Sequence, residues 1–305
     1  MKYLRWIFFL FFISNFYSQE IIPVWSNKIP NYIKSNEKEI KFYNQDSTRY
    51  SYSKVQVPTL EIILPPKKFS NGNAIIIFPG GGYKNLAYKW EGVAMSLFLN
   101  SKGIAAFILK YRLPQSKSVK ISHLAPLQDA QRAIKIVRKN AKKWNIDPNK
   151  IGILGFSAGG HLASTLGTQF KRDLIENKDE IDLIDARPNF MALIYPVISM
   201  DSSIYHGGSV KNLLGESPSK ELIRQYSNEL NVTENTPPTF IIHSNDDKGV
   251  KVENSLRFHK SLNQNGIKNE MHIYPYGGHG YSLATGMGQL SKWPDLLIDW
   301  IKSIN

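Results

Sequence analysis

Short apolar runs alternate along the chain with longer stretches of helical spacing. Ala74–Phe78 (AIIIF) is apolar at every position, as expected for a strand that is buried on both faces of a sheet. Between residues 125 and 144, apolar side chains recur at three- and four-residue steps, which predicts an amphipathic helix. The pattern predicts extended segments over residues 54–64, 74–78, 104–109, 150–154, 190–197, 239–243 and 270–274, and helices over residues 91–101, 125–144, 159–167, 254–263 and 294–304.

This alternation predicts an α/β fold with a mostly parallel central sheet and helices on both of its faces. The sequence shows no internal repeat of solenoid or propeller length and no low-complexity linker, so we expect one domain over residues 19–305. Residues 200–236 are polar and lie between two predicted strands. They are interpreted as a short, loop-rich insertion near the functional site.

Residues 1–18 have the pattern of a secretory signal peptide. Lys2 and Arg5 are followed by an apolar run over residues 6–13, which is too short to span a bilayer. We therefore expect export to the periplasm or the extracellular space, with no stable membrane insertion after cleavage. The alternatives are a buried N-terminal strand and an uncleaved anchor.

The amino-acid composition excludes several kinds of catalytic and structural site. The 305 residues include no cysteine, which excludes cysteine nucleophiles, disulfide scaffolds and zinc fingers. The formal net charge is +13, and it falls to +11 when the segment with Lys2 and Arg5 is removed. No Lys/Arg block is interleaved with aromatic residues, so we interpret the charge as a general surface property and expect no nucleic-acid partner.

The candidate nucleophile is Ser157, in the motif Gly155-Phe156-Ser157-Ala158-Gly159. This G-x-S-x-G motif stands between a predicted strand and a predicted helix, which is the setting that a nucleophile elbow requires. Glycines two positions before and after the serine allow the sharp turn, because a Cβ at either position would clash. The alternative interpretation is a glycine turn with an incidental serine.

A serine nucleophile needs a base and an acid that orients it. His279 follows the predicted strand 270–274 in a glycine-rich loop and is the candidate base. The acid should lie between Ser157 and His279 in the chain, and both Asp246 and Asp247 follow the predicted strand 239–243. The other histidines are expected in packing or surface roles or lack a partner motif: His123, His161, His206, His243, His259 and His272.

Backbone N–H groups are the candidates for an oxyanion hole. Ala158 follows the nucleophile directly, and residues 79–83 (PGGGY), called the glycine loop below, follow the strand Ala74–Phe78. Phosphate binding by this loop is the weaker alternative, because neither a G-x-x-x-x-G-K-[ST] nor a complete dinucleotide motif is present. The resulting mechanism requires no metal and no organic cofactor.

Further motifs carry a family resemblance. In chain order they are PGGGY at 79–83, KYRLP at 110–114, PLQDAQRAI at 126–134, GFSAGGHLAS at 155–164, YPVISM at 195–200, PPTFIIHSNDD at 237–247, ENSLRFH at 253–259 and HIYPYGGHG at 272–280. Over residues 55–305 the chain resembles the bacterial α/β-hydrolase esterases related to acetylxylan esterases. These belong to the wider group of hormone-sensitive-lipase-like and prolyl-oligopeptidase-like hydrolases.

The resemblance implies roles for individual residues. It implies the α/β-hydrolase fold. In the family the catalytic acid is followed three residues later by valine, so Val250 indicates Asp247 rather than Asp246 as the acid. The implied triad and oxyanion donors are Ser157, Asp247 and His279 with Gly81, Gly82 and Ala158. Three residues depart from the family pattern: Gly249 and Lys251 in the loop after the acid, and Tyr281 after the His-Gly pair.

With the predicted export, the resemblance implies a secreted serine carboxylesterase that removes acetyl groups from plant polysaccharide such as acetylated xylan. Its partner would be an acetylated carbohydrate or another small ester, and the oligomeric state stays open. The alternatives are a general short-chain carboxylesterase, a serine-peptidase-like hydrolase and a non-catalytic binding protein on a hydrolase scaffold. Tyr83, Tyr88 and Trp90 are candidate aromatic residues for stacking on sugar rings.

Overall fold

The buried apolar runs form the strands of two sheets. The computed structural model describes residues 20–26 and 28–304, so the predicted signal peptide lies outside the described residues. The strands are β1 (Glu20–Pro23), β2 (Ile40–Tyr43), β3 (Tyr50–Ser53), β4 (Thr59–Ile63), β5 (Ala74–Phe78), β6 (Asn85–Leu86), β7 (Ala105–Lys110), β8 (Ile151–Phe156), β9 (Phe190–Ile194), β10 (Thr239–Ser244) and β11 (Asn269–Tyr274).

The larger sheet has eight strands in the order β1-β4-β7-β5-β8-β9-β10-β11. Strand β4 pairs antiparallel with both β1 and β7, and every pairing from β7 to β11 is parallel. The mostly parallel sheet that the apolar runs predicted is therefore confirmed. Strands β2, β3 and β6 form a separate antiparallel sheet of three strands.

Seven α-helices and a π-helical turn accompany the strands in the described part of the chain. The helices are α1 (Ala94–Ser101), α2 (Ala125–Lys139), α3 (Ala158–Gln169), α4 (Gly207–Leu214), α5 (Lys220–Tyr226), α6 (Glu253–Gln264) and α7 (Trp293–Ile304). The π-helical turn spans Tyr88–Val93 directly before α1. None of these helices has the length and apolar character needed to cross a membrane.

Helices cover both faces of the large sheet, as predicted. Strand β5 sends Ile76 into a core shared with α2, α3 and α6, whereas Ile75 and Ile77 enter a second core with α1 and α7. The alternation follows from the strand geometry, in which successive side chains point to opposite faces. Because both faces are apolar, the loops at the carboxyl ends of β5, β8, β10 and β11 are held on a rigid base.

Several predicted boundaries were wrong. Helix α2 ends at Lys139 instead of residue 144. The next residue, Asn140, caps the helix, and its side-chain amide donates to the Ile136 carbonyl. The predicted extended segment 54–64 contains only the five-residue strand β4. The segment 200–236 is not loop-rich throughout, because it contains α4 and α5, and the N-cap side chains of His206 and Ser219 start these helices.

Candidate active site

The turn between β8 and α3 places Ser157 in a strained backbone conformation. Its φ of 52° and ψ of −117° are unusual for a residue with a side chain. A Cβ on Gly155 would lie 2.1 Å from the carbonyl oxygen of Gly159, and a Cβ on Gly159 would lie 2.0 Å from that of Phe78. The expectation that both flanking positions require glycine is therefore confirmed.

Three loops bring the predicted serine, histidine and acid together. His279 Nε2 lies 2.9 Å from Ser157 Oγ, and His279 Nδ1 lies 2.6 Å from Asp247 Oδ2. Because an ionised carboxylate only accepts hydrogen bonds, Nδ1 carries the proton and Nε2 accepts the serine hydroxyl. This is the arrangement in which a histidine can remove the proton of an attacking serine.

The two candidate acids have different surroundings. Asp247 is buried, and its Oδ1 accepts the backbone N–H groups of Gly249 and Val250, each at 2.8 Å. Asp246 is exposed, and its Oδ1 accepts the backbone N–H of Gly278 at 2.8 Å. Asp247 thus contacts the His279 ring, whereas Asp246 contacts the backbone of the preceding residue, Gly278.

A second histidine, His243, supports the same carboxylate. His243 is fully buried on β10, and its Nε2 lies 3.2 Å from Asp247 Oδ2. Burial alone would raise the pKa of Asp247, but hydrogen bonds from His243 and His279 and from the Val250 amide outweigh it and hold that pKa well below its usual value. Sequence reasoning assigned His243 to packing or the surface. The four-residue separation from Asp247 at a strand end was the available signal.

The glycine loop lies against the elbow. A Cβ on Gly80 would come within 3.0 Å of the Ser157 Cβ. Gly81 has a φ of 126° and Gly82 a φ of 63°, both in the region that favours glycine. Among residues 20–26 and 28–304, no acceptor bonds the backbone N–H of Gly81, Gly82 or Ala158. The three predicted oxyanion donors therefore have no hydrogen-bond acceptor within this part of the chain.

The insertion packs against this loop. The Asn212 side-chain amide of α4 donates to the Gly82 carbonyl at 2.7 Å. His206 Cε1 lies 3.5 Å from where a Cβ on Gly82 would stand. Sequence reasoning found no partner for His206, because the contact joins residues that are far apart in the chain.

Tyr83 and Tyr88 are not at the surface, so the stacking hypothesis was wrong for both. Tyr83 is 1% exposed, and its Oη lies 2.8 Å from Nδ1 of the buried His161. Burial lowers the pKa of His161 to about 4, which keeps this imidazole neutral in the hydrophobic interior. Tyr88 is 3% exposed and donates to Glu61 at 2.7 Å. Both rings pack in the core, and each buried hydroxyl has a polar partner on a distant element.

Trp90 remains partly exposed beside the histidine. Its Nε1 donates to the Gly280 carbonyl at 2.8 Å, and the Arg49 guanidinium lies 3.6 Å from the centroid of the indole ring. Arg49 belongs to the hairpin of β2 and β3, so the small sheet reaches the edge of the candidate site.

The three departures from the family pattern have defined surroundings. A Cβ on Gly249 would lie 3.2 Å from His279 Cγ, so glycine leaves room for the ring. Lys251 Nζ donates to the Ser203 carbonyl at 3.0 Å and ties the loop after the acid to the insertion. Tyr281 is buried, with its ring centroid 4.5 Å from that of Tyr195.

Solved structures with similar folds include enzymes named for ester and sugar hydrolysis. An acetyl ester-xyloside bifunctional hydrolase from Caldicellulosiruptor lactoaceticus is 41% identical, with a TM-score of 0.78 over 94% of this chain and 96% of that one. A sugar hydrolase from Lactococcus lactis is 28% identical, with a TM-score of 0.66 over 88% of this chain and 100% of that one.

Sequence comparisons agree with this likeness. An acetylxylan esterase of Xylanibacter ruminicola is 40% identical over 77% of this chain and 46% of its own length. Endo-1,4-beta-xylanase B of Butyrivibrio fibrisolvens is 38% identical over 70% of this chain and 33% of its own length. The chain thus spans less than half the length of these two relatives. Residues 60–262 match the BD-FAE family model, and the chain belongs to this family, in the esterase group of the α/β hydrolases.

Proposed function

We propose that the chain is a secreted serine carboxylesterase that removes acetyl groups from acetylated xylan or its fragments. The observation that carries the proposal is the hydrogen-bonded series of Ser157, His279 and Asp247, which lies beside unpaired backbone donors. The acetylxylan esterase and the acetyl ester-xyloside hydrolase among the similar proteins support the choice of acyl group and alcohol.

The reaction proceeds in two acyl-transfer steps. His279 Nε2 takes the hydroxyl proton of Ser157 as Oγ attacks the acetyl carbonyl carbon. The tetrahedral intermediate collapses with cleavage of the bond to the alcohol oxygen, and protonated His279 gives its proton to that leaving oxygen. Water, deprotonated by His279, then attacks the acetyl-serine ester, and the second collapse releases acetic acid and restores the Ser157 hydroxyl.

The surrounding groups stabilise the charges that form on this path. The amides of Gly81, Gly82 and Ala158 bind the oxyanion, and Ala158 also opens α3, whose N-terminus carries positive partial charge. Asp247 stays ionised and stabilises the His279 imidazolium while it exists. Trp90 and Arg49 stand at a partly exposed edge of the site, where they offer an aromatic and a cationic surface to the sugar of the leaving alcohol.

Export is part of the proposal. The pattern of residues 1–18 supports a signal peptide, and an acetylated plant polymer is too large to enter a bacterial cell intact. The absence of cysteine is compatible with an oxidising compartment, because no thiol requires protection there.

Acetate release from acetylated xylobiose and from ethyl acetate tests the substrate. Neither ester has an activated nitrophenol as leaving group, so a difference between their rates reflects the sugar part of the substrate. We expect kcat/KM to be about tenfold or more higher for the sugar ester, equivalent to about 1.4 kcal/mol of additional transition-state binding. Ser157→Ala serves as the blank. Activity restricted to ethyl acetate and 4-nitrophenyl acetate would replace the proposal with a general short-chain carboxylesterase.

A further inference from the structure

A buried carboxyl group that the mechanism does not use lies next to the glycine loop. Glu91 is only 4% exposed and belongs to the π-helical turn Tyr88–Val93. Single π-helical turns inside or beside α-helices occur frequently at functional sites. Burying a carboxyl group is unfavourable unless hydrogen bonds compensate for the lost water. The position of Glu91 therefore requires an explanation beyond packing.

The carboxylate holds the glycine loop by its backbone. Glu91 Oε2 accepts the N–H of Gly80 at 2.6 Å. Gly80 immediately precedes Gly81 and Gly82, the two proposed oxyanion donors of this loop. A Cβ on Gly80 would lie 2.8 Å from Glu91 Oε2 and 2.7 Å from the Phe156 carbonyl oxygen, so the backbone is held tightly between the two.

The other carboxylate oxygen reaches the loop that carries the histidine. Glu91 Oε1 accepts the hydroxyl of Tyr195 at 2.9 Å, and Tyr195 Oη in turn accepts the backbone N–H of Ser282 at 3.0 Å. Tyr195 has a φ of 38°, and its ring centroid lies 4.9 Å from that of His279. The tyrosine thus links Glu91 to the segment that follows His279.

Trp90, the neighbour of Glu91, forms two hydrogen bonds with the segment that follows His279. Its indole N–H donates to the Gly280 carbonyl at 2.8 Å, and its own carbonyl accepts the hydroxyl of Ser282 at 2.6 Å. The π-helical turn is therefore bonded to the glycine loop on one side and to residues 280–282 on the other.

The polar partners of Glu91 suit a positioning role. They are an amide and a phenol, and neither is a cation that would neutralise the carboxylate. Burial raises the pKa of Glu91, while the hydrogen bonds from Gly80 and Tyr195 oppose that rise. Both donors would be left unpaired in the interior if the carboxyl were removed.

We propose that Glu91 is a positioning residue for acyl transfer. It holds the glycine loop and, through Tyr195, the loop of His279 in one arrangement, so that the oxyanion donors and the base act on the same ester. The inference rests on the proposed function, because it assumes that Ser157 undergoes acylation.

Glu91→Ala and Glu91→Gln separate positioning from fold stability. The alanine variant should lower kcat about 100-fold with little change in KM, an effect the size of losing one oxyanion donor. The glutamine variant keeps an oxygen that accepts the Gly80 N–H, and it should recover kcat to within about tenfold of the parent enzyme. Equal kcat in the parent and Glu91→Ala would overturn the assignment.

Tyr88→Phe is the matched control. Tyr88 stands on the same turn and is similarly buried, but its hydroxyl donates to Glu61 and its ring packs on Tyr50 and Tyr52. The variant should lower the melting temperature and leave kcat unchanged. A loss of kcat as large as that of Glu91→Ala would show that the turn acts only through stability, and would overturn the proposal.

Tyr195→Phe and covalent labelling cover the case in which Glu91→Ala does not fold. Tyr195→Phe keeps the ring and removes the hydroxyl between Glu91 and Ser282, and kcat should fall about tenfold at unchanged KM.

The rate at which a fluorophosphonate labels Ser157 should fall in the same order as kcat, and wild-type rates in folded variants would contradict the proposal. If the parent protein labels rapidly but hydrolyses no ester, the proposed function fails, and the relative labelling rates still decide the role of Glu91.

Discussion

Ser157→Ala is expected to lower kcat/KM for 4-nitrophenyl acetate by about 10⁴- to 10⁶-fold, the range observed when a triad nucleophile is removed. The reason is that Oγ, which lies 2.9 Å from His279 Nε2, forms the covalent bond to the acyl group. The protein should keep its fold, since Ser157 is held by backbone hydrogen bonds to Ile194, Val197 and His161. Initial rates beside a circular dichroism spectrum provide the measurement.

Ser202→Ala is the control for this substitution. Ser202 is exposed in the segment before α4, so its removal should change kcat/KM by less than about twofold, as is usual at the surface. Equal turnover by the parent protein and Ser157→Ala would contradict the role of Ser157.

Asp247→Asn is expected to lower kcat about 10⁴-fold while the fold remains intact, as happens when a triad acid becomes an amide. The amide can present its NH₂ group to His279 Nδ1, which favours the tautomer with the proton on Nε2, and that tautomer cannot accept the proton of Ser157. The amide also loses the negative charge that stabilises the imidazolium. The kcat of the purified variant with 4-nitrophenyl acetate provides the measurement.

Asp246→Asn is the matched control for the acid. Asp246 is adjacent in sequence, exposed, and bonded to the Gly278 amide through an oxygen that asparagine retains. Its kcat should stay within about twofold of the parent, equivalent to about 0.5 kcal/mol. A larger loss in Asp246→Asn than in Asp247→Asn would overturn the choice between the two acids.

Most of the large sheet was predictable because its strands are apolar on both faces and short. Strands β5 and β8 are apolar runs bounded by glycine and proline, which makes them recognisable in the sequence. Their predicted and observed ends agree to within two residues. Strands β2 and β3 were missed, since four-residue strands with exposed or half-buried side chains have no apolar run. Cross-strand pairing between Tyr43 and Tyr50 forms this hairpin, and such pairing has no simple periodic signal.

The elbow was the most predictable part of the site because local backbone sterics determine it. The requirement for glycine at positions 155 and 159 follows from a turn of five residues, and the structure confirms it. The choice between Asp246 and Asp247 could not be made from local sequence, because either residue follows β10. The family resemblance indicated Asp247 through Val250, whose backbone N–H indeed bonds the Asp247 carboxylate.

The supporting groups of the site escaped prediction for a common reason. Glu91 and Tyr195 form contacts between elements that are distant in the chain, and His243 is hidden in the core. A histidine inside a strand and a glutamate in an amphipathic segment have ordinary sequence surroundings. Only the folded arrangement shows that the polar atoms of Glu91 and Tyr195 meet those of Gly80 and Ser282.

Trapping the acyl-enzyme decides whether Ser157 carries the acyl group. The protein is mixed with excess 4-nitrophenyl acetate, quenched in acid within the first turnover, digested and analysed by mass spectrometry, with Ser157→Ala treated in parallel. We expect one acetyl group on the peptide that contains Ser157, formed in step with the burst of 4-nitrophenol and absent from the variant. Acetylation at another residue with an unmodified Ser157, or turnover without any acetylated peptide, would contradict this role of Ser157.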